Sequence, residues 1–120
     1  MQARVLETGA ILEAAGYAIE PEPERQPFVC RVQQVVGELP AKLREAFTDL
    51  PEPLSDIYNA TKHAVRDRPD SQAMHDAVEL SVLMLRCWVG VRLGVDEQVL
   101  LRGLSGPHRD AFERLLDRRV

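Results

Sequence analysis

The segment AVELSVLMLRCWVGVRLGV, residues 77–95, is the longest apolar stretch in the chain. Its apolar side chains recur at steps of three and four residues, the spacing that puts them on one face of a helix. Further apolar residues fall on its other sides, and a helix that is apolar nearly all round is usually buried on several sides. Ser71 is placed to cap its start and Gly94 to cap its end. We therefore expect one long helix around which the rest of the chain packs.

Length and composition indicate a single globular domain over residues 1–120. The formal net charge of -4 argues against a nucleic-acid binder that depends on a strongly basic surface. The two cysteines form no CxxC pair and no Cys/His cluster with the spacing of metal ligands, so we expect neither a metal nor a cofactor. No signal peptide is recognisable, and three charges interrupt the stretch 77–95, which predicts a cytoplasmic protein without membrane contact.

The rest of the chain shows helical patterns separated by proline-containing breaks. The acidic segment EPEPE at 20–24 is typical of a solvated, extended connector, and LPEP at 50–53 of a break between helices. No segment shows the alternation of a strand. We predict an all-α bundle of about four main helices plus short auxiliary ones. Besides the long helix, the helical patterns cover 3–16, 27–39, 41–47, 54–66, 96–101 and 108–118.

One helix face combines the polar side chains that are best suited to chemistry. Asn59 and His63 are four residues apart and Asn59 and Lys62 three apart, so all three share a face of the helix predicted over 54–66. Arg66, three residues beyond His63 and four beyond Lys62, extends this face. An amide, an ammonium, an imidazole and a guanidinium together can hold a phosphate, and His63 can exchange protons near neutral pH. The alternative is an ordinary solvated face of an amphipathic helix. The motifs of phosphate loops, zinc proteases and serine hydrolases are missing from the sequence.

The stretch LSDIYNATKHAVRDRPD, residues 54–70, together with the long helix resembles the core of HEPN domains, especially the Apea-like group of bacterial defence proteins. The preceding PFVCRVQQVVGELP is similar to the first core helix of that group, so the resemblance covers roughly residues 27–95. It implies an up-and-down helical bundle. Many members are metal-independent ribonucleases whose motif is an Arg, a polar residue that is often Asn, and a His a few residues later. That motif lies at a dimer interface, where two copies make one composite site.

Transferred to this sequence, the resemblance matches His63 to the family's His and Asn59 to its polar residue. Tyr58 stands where the family has Arg. Lys62 is then the candidate cation for a phosphate, although a Lys supplies charge without the planar fork of an Arg. The resemblance thus implies His63, Asn59 and Lys62 as candidate catalytic residues.

Three functions remain open at this stage, and with them the question of whether the chain is an enzyme. The first is a homodimeric ribonuclease or degenerate RNA binder of a defence, abortive-infection or toxin–antitoxin system, with Arg66 and Arg68 as RNA-binding residues. The second is a catalytically inactive dimerisation or interaction module, whose partner is a protein of such a system. Tyr58 in the place of Arg and the acidic net charge favour this second function. The third is a small structural domain in which His63 is merely solvated.

Overall fold

The computed structural model describes residues 1–63, 69–104 and 106–118, and within these ranges the chain is all-α, as predicted, with no strand. No helix in the described ranges is long and apolar enough to cross a membrane. The helices are α1 (Gln2–Ile19), α2 (Phe28–Gly37), α3 (Ala41–Phe47), α4 (Pro51–Lys62), α5 (Ser71–Arg92), α6 (Glu97–Arg102) and α7 (Pro107–Asp117).

The long central helix α5 is capped at both ends by side-chain and backbone hydrogen bonds. Its N-cap is Asp70, whose carboxylate accepts from the N–H of Ala73 at 2.8 Å, so the cap lies one residue before the predicted Ser71. At the other end Gly94 has φ 84°, as a C-terminal glycine cap requires. Its N–H donates to Val91 and that of Val95 to Gly90, which is the hydrogen-bond pattern of a Schellman motif.

The hydrophobic core lies between α5 and the helices α1, α2, α4 and α7 that pack around it. Leu80 and Met84 of α5 are fully buried, as are Leu12 of α1 and Val32 of α2. One side of α5 is not covered by the other residues that the structure describes, and Val89 on this side remains 46% exposed. The expectation of burial on several sides is therefore correct for most of the helix but not for this side.

Helix α1 continues through Gly16, where the sequence pattern predicted its end. Gly16 is buried, and a Cβ built on it would lie 2.5 Å from the carbonyl oxygen of Arg31. The backbones of α1 and α2 thus approach too closely for a side chain at this point. Gly16 serves this close approach and not helix termination, which a sequence pattern cannot distinguish.

The acidic segment 20–24 is held against the domain and is not a free connector. The side chain of Arg31, whose residue is only 2% exposed, donates to the carbonyl oxygens of Glu20 at 2.6 Å, Pro23 at 3.1 Å and Glu24 at 2.9 Å. The guanidinium therefore satisfies backbone carbonyls that an extended segment cannot pair within itself. The contact ties the segment between α1 and α2 to the core.

Helix α4 begins at Pro51, three residues before the predicted start, so the break between α3 and α4 covers residues 48–50 and only Leu50 of the predicted segment 50–53. Pro51 and Pro53 lie in its first turn. The N–H groups of a first turn have no acceptor within the helix, so prolines there sacrifice no hydrogen bond. The described part of α4 ends at Lys62, where the N–H of His63 donates to the carbonyl of Asn59 at 2.9 Å.

Candidate functional site

The polar face predicted on α4 lies at the exposed C-terminal end of that helix. Asn59, Lys62 and His63 are all exposed. The amide of Asn59 donates to Ser55 Oγ at 3.2 Å, whereas Lys62 Nζ lies 5.7 Å from the ring centroid of Tyr58. The three side chains thus share one end of the helix, and the contacts of Asn59 and Lys62 are each with the residue one turn earlier in α4. The predicted RNA-binding residues Arg66 and Arg68 lie outside the described residues.

Tyr58, which stands at the position of the motif Arg, belongs to the core. Its residue is 8% exposed, and its ring stacks on Phe28 with the centroids 4.1 Å apart and the planes 18° apart. The other neighbour of the ring is the backbone of Gly9, where even a Cβ would collide with Cδ1 and Cε1. Tyr58 is therefore a packing residue that joins α4 to α1 and α2.

An apolar groove runs along the uncovered side of α5, between α1 and α6. Its volume is about 500 Å³. Arg86 is the one charged residue among the lining residues that the structure describes. The apolar lining side chains are Ile11, Val82, Leu85, Val89, Leu93, Val95 and Leu100. Four of them are large and substantially exposed, namely Ile11, Val89, Leu93 and Val95.

The sequence contains a signal for this groove in the extra apolar residues of α5, from which burial on several sides is predicted. Val82, Leu85 and Val89 fall on a different side of α5 from the fully buried Leu80 and Met84. A helix that has more apolar residues than one face can hold is either buried on several sides or carries an interaction surface. Only the placement of α1 and α6 shows which side of α5 remains uncovered.

A cluster of charged and titratable side chains joins α5 to α7. Asp76 is fully buried, and Arg114 donates to both of its oxygens, from Nε at 2.8 Å and from Nη2 at 2.9 Å. Gln72 donates to the same carboxylate at 2.8 Å. Burial raises the pKa of Asp76, but the hydrogen bonds from Arg114 and Gln72 outweigh it and hold the pKa below its usual range. Sequence reasoning missed this cluster because Arg114 lies 38 residues from Asp76.

Two histidines and a glutamate border the buried pair. Nδ1 of His75 lies 3.8 Å from Glu79 Oε2, one turn along α5. Nδ1 of His108, from α7, lies 3.2 Å from Glu79 Oε1. The glutamate is thus flanked by an imidazole from each of the two helices.

A third polar contact fixes the C-terminal half of α5 to α2. The indole N–H of Trp88 donates to Glu38 Oε1 at 3.0 Å, and Arg92 Nη2 donates to the same oxygen at 2.7 Å. These hydrogen bonds, that of Trp88 first, hold the pKa of Glu38 below its usual range. Trp88 is partly buried and packs against the core.

Comparisons with known proteins assign no family to this chain. No family model matches the chain, and searches of curated proteins and of solved structures found no significant match.

Proposed function

We propose that this chain is a HEPN-like, catalytically inactive dimerisation module, in which a second copy of the chain docks in the apolar groove of α1, α5 and α6. The observation that carries the proposal is the row of exposed apolar side chains along this groove. The largest apolar patch on a monomeric protein typically measures about 300–600 Å² and is often functional. With one cation among its lining residues, the groove suits an apolar partner surface better than a charged ligand.

The exposed apolar surface is of the size that a weak dimer requires. Ile11, Val89, Leu93 and Val95 are 49%, 46%, 78% and 40% exposed, which leaves the equivalent of about two aliphatic side chains uncovered. At about 1.5–3 kcal/mol for each side chain, covering them on both copies contributes roughly 6–12 kcal/mol. Association itself costs about 4–15 kcal/mol. The largest gain and the smallest cost in these ranges leave about 8 kcal/mol, so the dimer is expected to be no tighter than about micromolar and to depend on concentration.

The α4 face gives less support to a nuclease than the resemblance implies. The motif position held by Tyr58 faces the core, so this chain offers no guanidinium beside Asn59 and His63 from that position. Lys62 can supply charge but not the bidentate fork with which Arg orients a phosphate. These observations favour the inactive module over the ribonuclease.

The proposal is tested by light scattering and sedimentation over a range of protein concentrations. We expect the wild-type chain to dimerise in roughly the micromolar-to-millimolar range. Leu93→Glu places a charge in the groove at a residue that is 78% exposed, so it should keep the fold and remain monomeric. Gln33→Glu adds the same charge on the exposed side of α2 and should dimerise like the wild type. A wild-type monomer at about 1 mM, or a dimer that Leu93→Glu does not weaken, contradicts the proposal.

A crosslink then shows whether this dimer also brings two α4 ends together, as the resemblance implies. Lys62→Cys is exposed, and the experiment uses a Cys30→Ser background because Cys30 is partly exposed as well. A short crosslink between two copies would place both polar ends at one interface. A dimer that forms through the groove but gives no crosslink would support the interaction module and exclude the composite site.

RNA binding is the second candidate, favoured by the exposure of Lys62 and His63 at one helix end with two arginines following in the sequence. Its test is a low-salt binding and cleavage assay with single-stranded RNA, since contacts to phosphate weaken as salt rises. Lys62→Ala should weaken binding, and His63→Ala should abolish any cleavage. Gln98→Ala, on α6, is the control. If the chain binds no RNA at low salt, this candidate is excluded, and so is the RNA-directed defence function.

A further inference from the structure

The groove of α1, α5 and α6 is concave, so a second copy can fill it only with a projecting part of its own surface. Two copies of one chain most often associate around a two-fold axis, where the same patch of both copies is in contact. A patch that pairs with itself in this way must contain both the groove and a projection that fits it. The projection must also be apolar and must adjoin the groove, so that one interface buries both.

The turn that joins α5 to α6 is such a projection. We call residues 93–99, which form this turn and the start of α6, the α5–α6 corner. Every residue from 92 to 96 is exposed. Leu93 and Val95 lie in the turn, although turns are dominated by glycine, proline and small polar residues. Val99, in the first turn of α6, is a third apolar side chain at the corner and is 53% exposed.

Val99 extends the apolar surface beyond the lining of the groove. Leu93 and Val95 line the groove as well as the corner, whereas Val99 is not among the lining residues. The next residue, Leu100, lies inside the groove against Gly90, where a Cβ would be 3.0 Å from its Cδ2. Groove and corner are therefore parts of one continuous patch, as a self-complementary interface requires.

The groove and the corner carry opposite charges. Arg86 lies in the groove, is exposed, and forms no ion pair with any residue that the structure describes. Asp96 lies in the corner, where its exposed carboxylate accepts one hydrogen bond, from the N–H of Gln98 at 2.8 Å. A corner that enters the groove of a second copy brings Asp96 toward Arg86. Such charge complementarity at the edge of an apolar contact fixes the orientation of two partners.

We infer that the α5–α6 corner of each copy docks in the groove of the other, with Val99 against the apolar lining and Asp96 beside Arg86. This docking rests on the proposed dimerisation and names the part of the second copy that occupies the groove. Two-fold symmetry makes the contact twice, so that both grooves and both corners are buried. The dimer thereby covers Val99, which docking of any other segment in the groove would leave exposed.

Corner docking predicts selective pairing between two charged variants. Val99→Lys brings an ammonium toward Arg86 of the other copy, and Arg86→Glu brings a carboxylate toward its Asp96. Each variant alone should dimerise about tenfold more weakly than the wild type, because like charges meet in both halves of the dimer. In an equimolar mixture the new ammonium meets the new carboxylate in one half, and the other half keeps its wild-type contacts. Native mass spectrometry should therefore show more heterodimer than either homodimer.

The matched control is Gln33→Lys, which adds the same charge on the exposed side of α2. It should dimerise like the wild type and should show no preference for Arg86→Glu as a partner. Because positions 86 and 99 are exposed, both test variants should keep the fold, and thermal unfolding checks this.

The outcomes separate corner docking from the proposed dimerisation. If Leu93→Glu disrupts the wild-type dimer but Val99→Lys leaves its affinity unchanged, the groove is an interface and corner docking is wrong. A mixture of Val99→Lys and Arg86→Glu without excess heterodimer would also overturn corner docking. A wild-type chain that is still monomeric at about 1 mM refutes the dimerisation itself, and corner docking with it.

Discussion

Arg114 of α7 holds both oxygens of the buried Asp76 of α5, with donor–acceptor distances of 2.8 and 2.9 Å. The carboxylate side chain is only 1% exposed, whereas the arginine side chain is 46% exposed. This bidentate contact connects the last helix of the chain to its central helix. It explains how a segment far along the chain from α5 becomes part of the same core.

Replacement of Asp76 by Ala is expected to destabilise the fold substantially. The change leaves Gln72 and Arg114 without their shared acceptor at a buried position. Loss of one partner of a buried ion pair lowers the unfolding free energy by about 3–5 kcal/mol. Because Arg114 is partly hydrated, we expect a smaller loss of about 2–4 kcal/mol for Asp76→Ala. Urea unfolding measures the difference, with Asp117→Ala as an exposed control on α7. Equal unfolding midpoints for Asp76→Ala and the control would show that the pair does not stabilise the fold.

The same carboxylate predicts a pH dependence of stability. The pKa of Asp76 is lower in the folded chain than its ordinary value, so the unfolded chain binds the proton more tightly. The stabilisation is therefore complete above the unfolded pKa of about 3.9 and is lost as the pH falls through the lower, folded pKa. The difference in unfolding free energy between wild type and Asp76→Ala should shrink as the pH is lowered below about 4. A difference that stays constant down to about pH 2 would contradict this assignment.

Gly16→Ala is expected to destabilise the contact between α1 and α2. The added methyl would lie 2.5 Å from the carbonyl oxygen and 2.8 Å from the Cα of Arg31, and backbone atoms cannot move aside as a flexible side chain can. Overpacking of this kind typically costs about 1–3 kcal/mol. Gly37→Ala is the matched control, because nothing lies within 4 Å of a Cβ there. In thermal unfolding, the control should be neutral or more stable by up to about 1 kcal/mol, since Ala favours a helix over Gly.

The two cysteines are expected to differ in reactivity toward a thiol reagent. Burial raises the pKa of the Cys87 thiol to about 11, whereas Cys30 is partly exposed. Because the reagent must reach the thiol and reacts with the thiolate, the partly exposed Cys30 should be labelled in the folded chain, and Cys87 only after the chain unfolds. Counting labelled thiols with and without urea checks this. If both thiols were labelled quickly in the folded chain, Cys87 and this part of α5 would be less well buried than the structure shows.

Much of the fold follows from local sequence patterns. Helix α3 has the predicted bounds Ala41–Phe47, because Pro40 marks its start and the apolar residues repeat at helical spacing. The glycine cap at Gly94 was also predicted, since only a few residues adopt the positive φ that it needs. In both cases a residue's own stereochemistry decides the structure.

Where the prediction failed, the deciding contact was distant in the sequence. Gly16 resembles a helix end until α2 is placed against it. The segment 20–24 is an exposed connector as predicted, but the sequence does not show that Arg31 binds its backbone carbonyls. The polar face of α4 could be predicted because its residues are three and four apart on one helix. The groove and the His75, Glu79 and His108 cluster could not, because each is assembled from separate helices.

Tyr58→Arg, which puts an Arg where the resemblance to HEPN domains expects one, is the sharpest test of the role of position 58. The substitution removes the stacking of Tyr58 on Phe28 and places a charged side chain at a buried position, where Tyr58 is 8% exposed. Buried charge without a partner and a lost aromatic contact are both unfavourable, so we expect a loss of about 3 kcal/mol or more in unfolding free energy. Tyr58→Phe, which keeps the ring, should stay close to the wild type in thermal unfolding.

The same variant separates a packing role for Tyr58 from a lost catalytic role. If position 58 belongs to the core, Tyr58→Arg should be unstable and should cleave RNA no better than the wild type. A variant that instead remains as stable as Tyr58→Phe must direct its guanidinium to the surface, toward Asn59 and Lys62. RNA cleavage by that variant, lost again when His63→Ala is added, would mean that the α4 face is a nuclease site lacking one residue. That result would overturn the inactive module, because packing against Phe28 would then not be what excludes Arg from this position.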